Sequence, residues 1–154
     1  MFDLRKVSFG GTAALVTSTG LIVGLSAATV AKEVVIGSLL IIGIADNLTD
    51  TLSVHMYQES EGLPTRNALR TTVANFIARL GVCLSFVVIV ALLPTQTAIG
   101  VAIGWGLLLL TGLTYLIARA RDVRAAPEIV KRVAVAIAVI LLSRSIGAWI
   151  AATS

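Results

Sequence analysis

Apolar residues gather into five runs, from about Thr12 to Val30, Val34 to Met56, Thr72 to Leu93, Thr97 to Ile117 and Val133 to Ala152. Each is close to the ~20 residues that carry an α-helix across the hydrocarbon core of a bilayer. None alternates with a period of two, which argues against a β-barrel. The pattern predicts an all-α integral membrane protein with five transmembrane helices in one domain spanning 1–154. Short polar stretches separate the runs: Lys32-Glu33, Glu59 to Arg70, Pro94-Thr95 with Gln96, and Arg119 to Arg132.

Polar residues inside the runs are fewer and more informative. Asp46 and Asp50 lie one helical turn apart in the second run. At 100° per residue, Asp46, Asp50, Ser53, Tyr57 and Glu61 share one side of that helix, with Thr49 beside them. A carboxylate near the bilayer centre costs roughly 3 kcal/mol on insertion scales, so it must be neutralised, paired or bound to a cation. Carboxylate and hydroxyl oxygens suit Mn²⁺, Mg²⁺ or Fe²⁺. The same ladder suits protons, because desolvation favours the neutral acid. His55, Met56 and Glu59 add titratable or softer groups near one end. His55 stands almost opposite the Asp face, so a second helix or subunit is needed to gather all of them around one ion. Two arginines also fall within runs, Arg79 in the third and Arg144 in the fifth. Asp46 and Asp50 are therefore expected either to hold a cation or proton, or to form buried ion pairs with Arg79 and Arg144.

Composition agrees with a membrane chain. It is 57% hydrophobic, only 13% charged, and has a mean hydropathy of +0.98, against about 25% charged residues in a soluble domain. The net charge of +4 is explained by where the basic residues fall. Arg5, Lys6, Arg66, Arg70, Arg119, Arg121, Arg124, Lys131 and Arg132 all lie on one side of a five-span arrangement, and Lys32 alone lies on the other. The positive-inside rule then puts the N-terminus in the cytoplasm and the C-terminus outside, in a bacterial-type inner (plasma) membrane. No signal peptide is expected, since the first apolar run is long enough to span. The basic Arg119–Arg132 segment is expected to meet anionic headgroups. It has no aromatic platform for nucleic acid.

Gly20 with Gly24, and Gly100 with Gly104, form GxxxG pairs that allow close helix approach, within one subunit or between two. Cys83 is read as a small core residue. No phosphate loop, zinc motif or nucleophile elbow occurs. Carboxylates at i and i+4 on one helix share one environment and make a poor acid–base pair, so the chain is not expected to be an enzyme.

Two segments resemble a known family. Ala-Ala-Leu-Val-Thr-Ser-Thr-Gly-Leu-Ile-Val-Gly-Leu-Ser-Ala-Ala, from Ala13 to Ala28, is similar to the first helix of the vacuolar iron transporters. Leu-Ser-Val-His-Met-Tyr-Gln-Glu-Ser-Glu, from Leu52 to Glu61, looks like the end of their second helix. The resemblance implies a homodimer that moves Fe²⁺ or Mn²⁺ in exchange for protons, with the ion path lined by spans one and two. No cofactor is then held permanently, and the metal is cargo. Three ligand-type residues of that family are replaced here, by Ala13, Leu48 and Leu52, and only Glu61 matches an acid. The glutamate-rich cytoplasmic domain of its larger members has no room between Glu59 and Arg70.

The leading expectation is thus a proton-coupled exporter of a divalent metal. In it Asp46 and Asp50 bind the ion, Glu59 and Glu61 attract it, His55 and Met56 assist, and Arg79 and Arg144 set the charge or gate the site. The alternative is a non-transporting membrane scaffold or accessory subunit in which Asp46 and Asp50 are structural partners of Arg79 and Arg144.

Overall fold

A computed structural model describes residues 4–62 and 65–153, with side chains described from position 11 onward except at 54, 58 and 63–71. The chain is all-helical: α1 (Leu4–Ala27), α2 (Lys32–Ser60), α3 (Thr65–Leu92), α4 (Thr95–Ala120) and α5 (Ala125–Thr153). Four of these contain segments long and apolar enough to cross a bilayer: Lys32–Tyr57, Thr72–Leu92, Thr95–Ala120 and Ala125–Thr153. In α1 the apolar stretch among the described residues is Gly11–Ala27, about 25 Å at the helical rise. Arg5, Lys6, Arg66 and Arg70, used above for orientation, have side chains outside the described residues.

The helices outrun the apolar runs at almost every end, because backbone hydrogen bonding continues into polar sequence until something stops it. The connections are correspondingly shorter than expected. Lys32 and Glu33 are the first turn of α2 rather than a loop. Thr95 opens α4 directly after Pro94, whose extended backbone (φ −59°, ψ 145°) sets the entry. Arg119 to Arg132 is mostly helical, with the turn confined to 121–124. Two helix ends close with a left-handed residue that is not glycine. Thr29 (φ 58°) follows α1, with Val30 N–H bonded to Leu25 O at 3.3 Å, and Asp122 (φ 54°) follows α4, with Val123 N–H bonded to Ala118 O at 3.0 Å. These six-to-one bonds satisfy carbonyls that a helix end otherwise leaves orphaned.

The first helix is the hub of the bundle, packed against all four others, while α2 pairs chiefly with α3 and α5 lies along α1 and α4. Leu15, Ile22, Leu39, Phe86, Ala102 and Leu110 form the centre of the core. Small residues set the close approaches. A Cβ on Gly20 would stand 2.9 Å from Val139, one on Gly24 would stand 3.2 Å from the Ser143 carbonyl oxygen, and one on Gly147 would run into the Gly24 carbonyl. The first GxxxG is therefore spent on α1–α5 packing within the protomer. Gly100 and Gly104 face outward on α4, where an added Cβ would meet nothing within 4 Å among the described residues.

The outside of the bundle is strongly apolar. Ile41, Leu48, Val88, Leu108, Leu142 and Trp149 are all more than half exposed. So continuous an apolar surface is unsuited to water and consistent with an all-α membrane protein.

Candidate functional site: a shared arginine between two aspartates

Helices α2 and α3 run antiparallel, and several contacts fix their register. Lys32 Nζ donates to the carbonyls of Ala91 (2.8 Å) and Leu93 (3.0 Å), and Cys83 Sγ donates to Leu39 O at 3.0 Å. Asn47 Nδ2 donates to Phe76 O at 2.9 Å. Gly43 lets the helices meet, because a Cβ there would lie 2.6 Å from Cys83 Sγ. One turn beyond Gly43 on α2 is Asp46, and one turn before Cys83 on α3 is Arg79. The register alone therefore brings acid and base to the same level.

Arg79 is only 3% exposed and bridges both aspartates. One terminal nitrogen, Nη2, donates to Asp46 Oδ2 at 3.0 Å, and the other, Nη1, donates to Asp50 Oδ2. The guanidinium fork is thus divided between two carboxylates instead of docking bidentately on one. With all three groups ionised, the cluster carries one negative charge in excess. The aspartate side chains keep 49% and 40% of their surface open, so they sit on an outer face of the bundle. Between Arg79 and α1 lies a small crevice bounded by Thr17, Ser18, Asp46, Asn47, Arg79 and Cys83, with room for about one water molecule.

The expected pairing is thereby half corrected. Arg79 takes both carboxylates. Arg144 is exposed on α5, which packs on α1 and α4, and no carboxylate among the described residues lies within ion-pair distance of it. Arg144 is on the wrong side of the bundle to reach α2.

The other candidates are spread along α2. His55 Nε2 lies 3.3 Å from Glu59 Oε1. Glu61 caps the end of α2, and Met56 and Tyr57 are exposed. Thr49 and Ser53 turn their hydroxyls back to the carbonyls of Ala45 (2.9 Å) and Thr49 (3.0 Å). The stripe from Asp46 to Glu61 does lie on one exposed side. Among the described residues, however, no three His, Cys, Asp or Glu side chains come together in a way that would hold a metal ion. One protomer supplies two carboxylates at Arg79 and a separate His55–Glu59 pair.

Charge alone does not point to the uncharged polar residues buried on the same two helices: Asn47, Thr72 and Asn75. A signal for them exists. Asn47, Thr51 and His55 recur at i, i+4, i+8, and Thr72, Asn75 and Arg79 recur at i, i+3, i+7. These are two helical polar stripes that need each other in an apolar setting. No family model, curated protein or solved structure matches this chain.

Proposed function

We propose that this chain is an integral membrane transporter of a divalent transition-metal cation, Fe²⁺ or Mn²⁺. It works as a homodimer of five-span protomers with the N-terminus in the cytoplasm and exports the ion in exchange for protons. The observation that carries the reading is the exposure of Asp46 and Asp50. Both are held by Arg79, yet each keeps about half its side chain open on the outer face of α2. A carboxylate left open to lipid is costly. A second copy seated on this face removes the cost and brings two such clusters together. Their joint excess of two negative charges is what one divalent cation neutralises. Thr17, Ser18 and Asn47 border the crevice beside Asp46 together with Cys83 and apolar neighbours, and their oxygens with the carboxylates are donors that Mn²⁺ or Fe²⁺ accepts. The likeness of Ala13–Ala28 and Leu52–Glu61 to the vacuolar iron transporters supports the same cargo, and this chain would be a short, divergent member of that family.

In this reading Arg79 occupies the carboxylate oxygens between transport events, and the arriving cation competes with it for them. Asp50→Asn is expected to abolish Mn²⁺ uptake into liposomes while a cross-linked dimer still forms. Undiminished uptake by the variant overturns the assignment.

One observation favours the alternative, a non-transporting scaffold or accessory subunit. Arg79 is buried and bonded to both acids in a single protomer, so the charges are largely compensated without an ion. The two readings separate on a thermal-shift titration of purified protein. A cation that binds the native state raises its stability by mass action, and Asp46→Asn or Asp50→Asn removes that rise. The scaffold shows no rise with any divalent metal.

A further inference from the structure

Of the arginines whose side chains are described, two are drawn in from the surface, Arg79 and Arg132. Arg79 is compensated by two aspartates. Arg132, in the second turn of α5, is not. Its Nη1 donates to Thr12 Oγ1 of α1 at 3.2 Å, and no carboxylate among the described residues lies within ion-pair distance of it. A hydroxyl satisfies one N–H but supplies no charge. Glu128, one turn earlier on α5, lines the same crevice as Arg132 but pairs with exposed Lys131 at 3.5 Å. A cation drawn toward an apolar core without a counter-charge is costly.

The crevice lies where α4 turns into α5. It is lined by Thr114, Ile117, Arg121, Val123, Glu128 and Arg132, with Ala118 at its base. The left-handed turn at Asp122 sends α5 back along α4 and so brings Arg121 and Arg132 to one crevice. Arg121 is exposed and also has no carboxylate within ion-pair distance among the described residues. From Arg119 to Arg132 five cations face two acids, and one of those acids is committed to Lys131. What the crevice lacks is an anion. Two guanidinium groups offer N–H forks that match phosphate oxygens. The crevice is too shallow to enclose even a water molecule, so a free anion has nothing to retain it. A phospholipid does not need enclosure, because its chains hold the headgroup at this level and make its effective concentration high. The membrane-spanning stretches Thr95–Ala120 and Ala125–Thr153 meet at this turn, and Val123 offers a half-exposed apolar side chain in the same crevice.

We propose that the α4–α5 crevice binds the headgroup of one anionic phospholipid per protomer, with its phosphate lying across the mouth between Arg121 and Arg132. Glu128 does not oppose it, because Arg121, Lys131 and Arg132 outnumber that single acid. The site is narrower than a general attraction of the basic turn to a charged surface: Arg119 and Arg124 lie outside the crevice and are not needed. Bound there, the lipid ties α4 to α5 and, through the bond of Arg132 to Thr12, to α1. The site does not depend on the transporter reading.

The test is native mass spectrometry of the full chain in detergent, titrated with phosphatidylglycerol. One lipid per protomer is expected to bind ahead of any others. Arg121→Gln and Arg132→Gln are each expected to weaken that binding about tenfold, the loss of one charge-assisted bond, while Arg124→Gln stays within about twofold, as for an exposed charge. Equal loss in all three variants means diffuse attraction and overturns the site. Arg121 is exposed on the turn, so its variant reads the site even where Arg132→Gln does not fold. Phosphatidylcholine carries the same phosphodiester without net charge and is expected to bind at least about tenfold more weakly. Equal retention of the two lipids overturns the anionic assignment. Glycerol phosphate at the same concentration is expected to give no thermal shift where phosphatidylglycerol gives one. A shift as large as the lipid's shows a site for a soluble anion and overturns the lipid.

Discussion

Two helix seams in this protein are built on opposite plans. Between α1 and α5 the contact is made by the absence of side chains: Gly20, Gly24 and Gly147 let backbone meet backbone, with Ser143 and Val139 filling the edges. Between α2 and α3 the contact is made by charge and hydrogen bonding, through Lys32, Asn47 and Arg79. The second seam holds every orphaned polar atom among the described residues, and the first holds none of them. In an apolar solvent small residues provide close packing and dispersion contacts, which is sufficient to hold helices together. Polar groups beyond that requirement are expensive, and this chain concentrates them on one seam.

Removing Arg79 breaks this contrast most severely. Arg79→Met leaves two carboxylates side by side without their shared partner, and breaking such a pair costs about 3–5 kcal/mol, at the lower end here because both acids are half open. Thermal unfolding in detergent checks the loss. Adding Asp46→Asn and Asp50→Asn should restore much of it, and failure of that rescue means that Arg79 matters through packing rather than charge. Next in size is Gly147→Ala, which forces a methyl group into the Gly24 carbonyl and is expected to lower stability by about 1–3 kcal/mol with no effect on Mn²⁺ binding per folded molecule. A change in metal affinity would show that the two seams are not separate in function. The smallest effect belongs to Gly104→Ala on the open face of α4, expected within about 0.5 kcal/mol in unfolding of the isolated protomer. A large loss confined to conditions in which copies associate would place α4 at the contact between them.

Much of the architecture is legible in the residues. Apolar runs locate all five helices, and the four-residue spacing of Asp46 and Asp50 puts both on one face before any coordinates exist. The ends are less legible, because Lys32, Glu33 and Arg119 continue helices whose hydrogen bonding does not depend on hydropathy. Arg79 and Arg144 look equivalent in sequence. Only tertiary packing separates them, since α3 lies against α2 and α5 does not. The two GxxxG pairs are likewise indistinguishable as strings, yet Gly24 meets α5 while Gly104 faces open space. Asn47, Thr51 and Asn75 are the least legible, for each is ordinary alone and gains meaning only from the register that aligns two stripes across a seam.

The two carbonyl bonds of Lys32 have a mechanical consequence. They fasten the first turn of α2 to the last turn of α3 and the residue beyond it, at the end of the hairpin farthest from Ser60 and Thr65. A pair of rods latched at one tip and cross-tied partway by Arg79 has little freedom at those points. The other tip is closed by the chain itself, since only four residues join Ser60 to Thr65, so any parting of α2 from α3 is confined to the stretches between these ties. The hairpin is a closed frame, with Lys32 as its clasp.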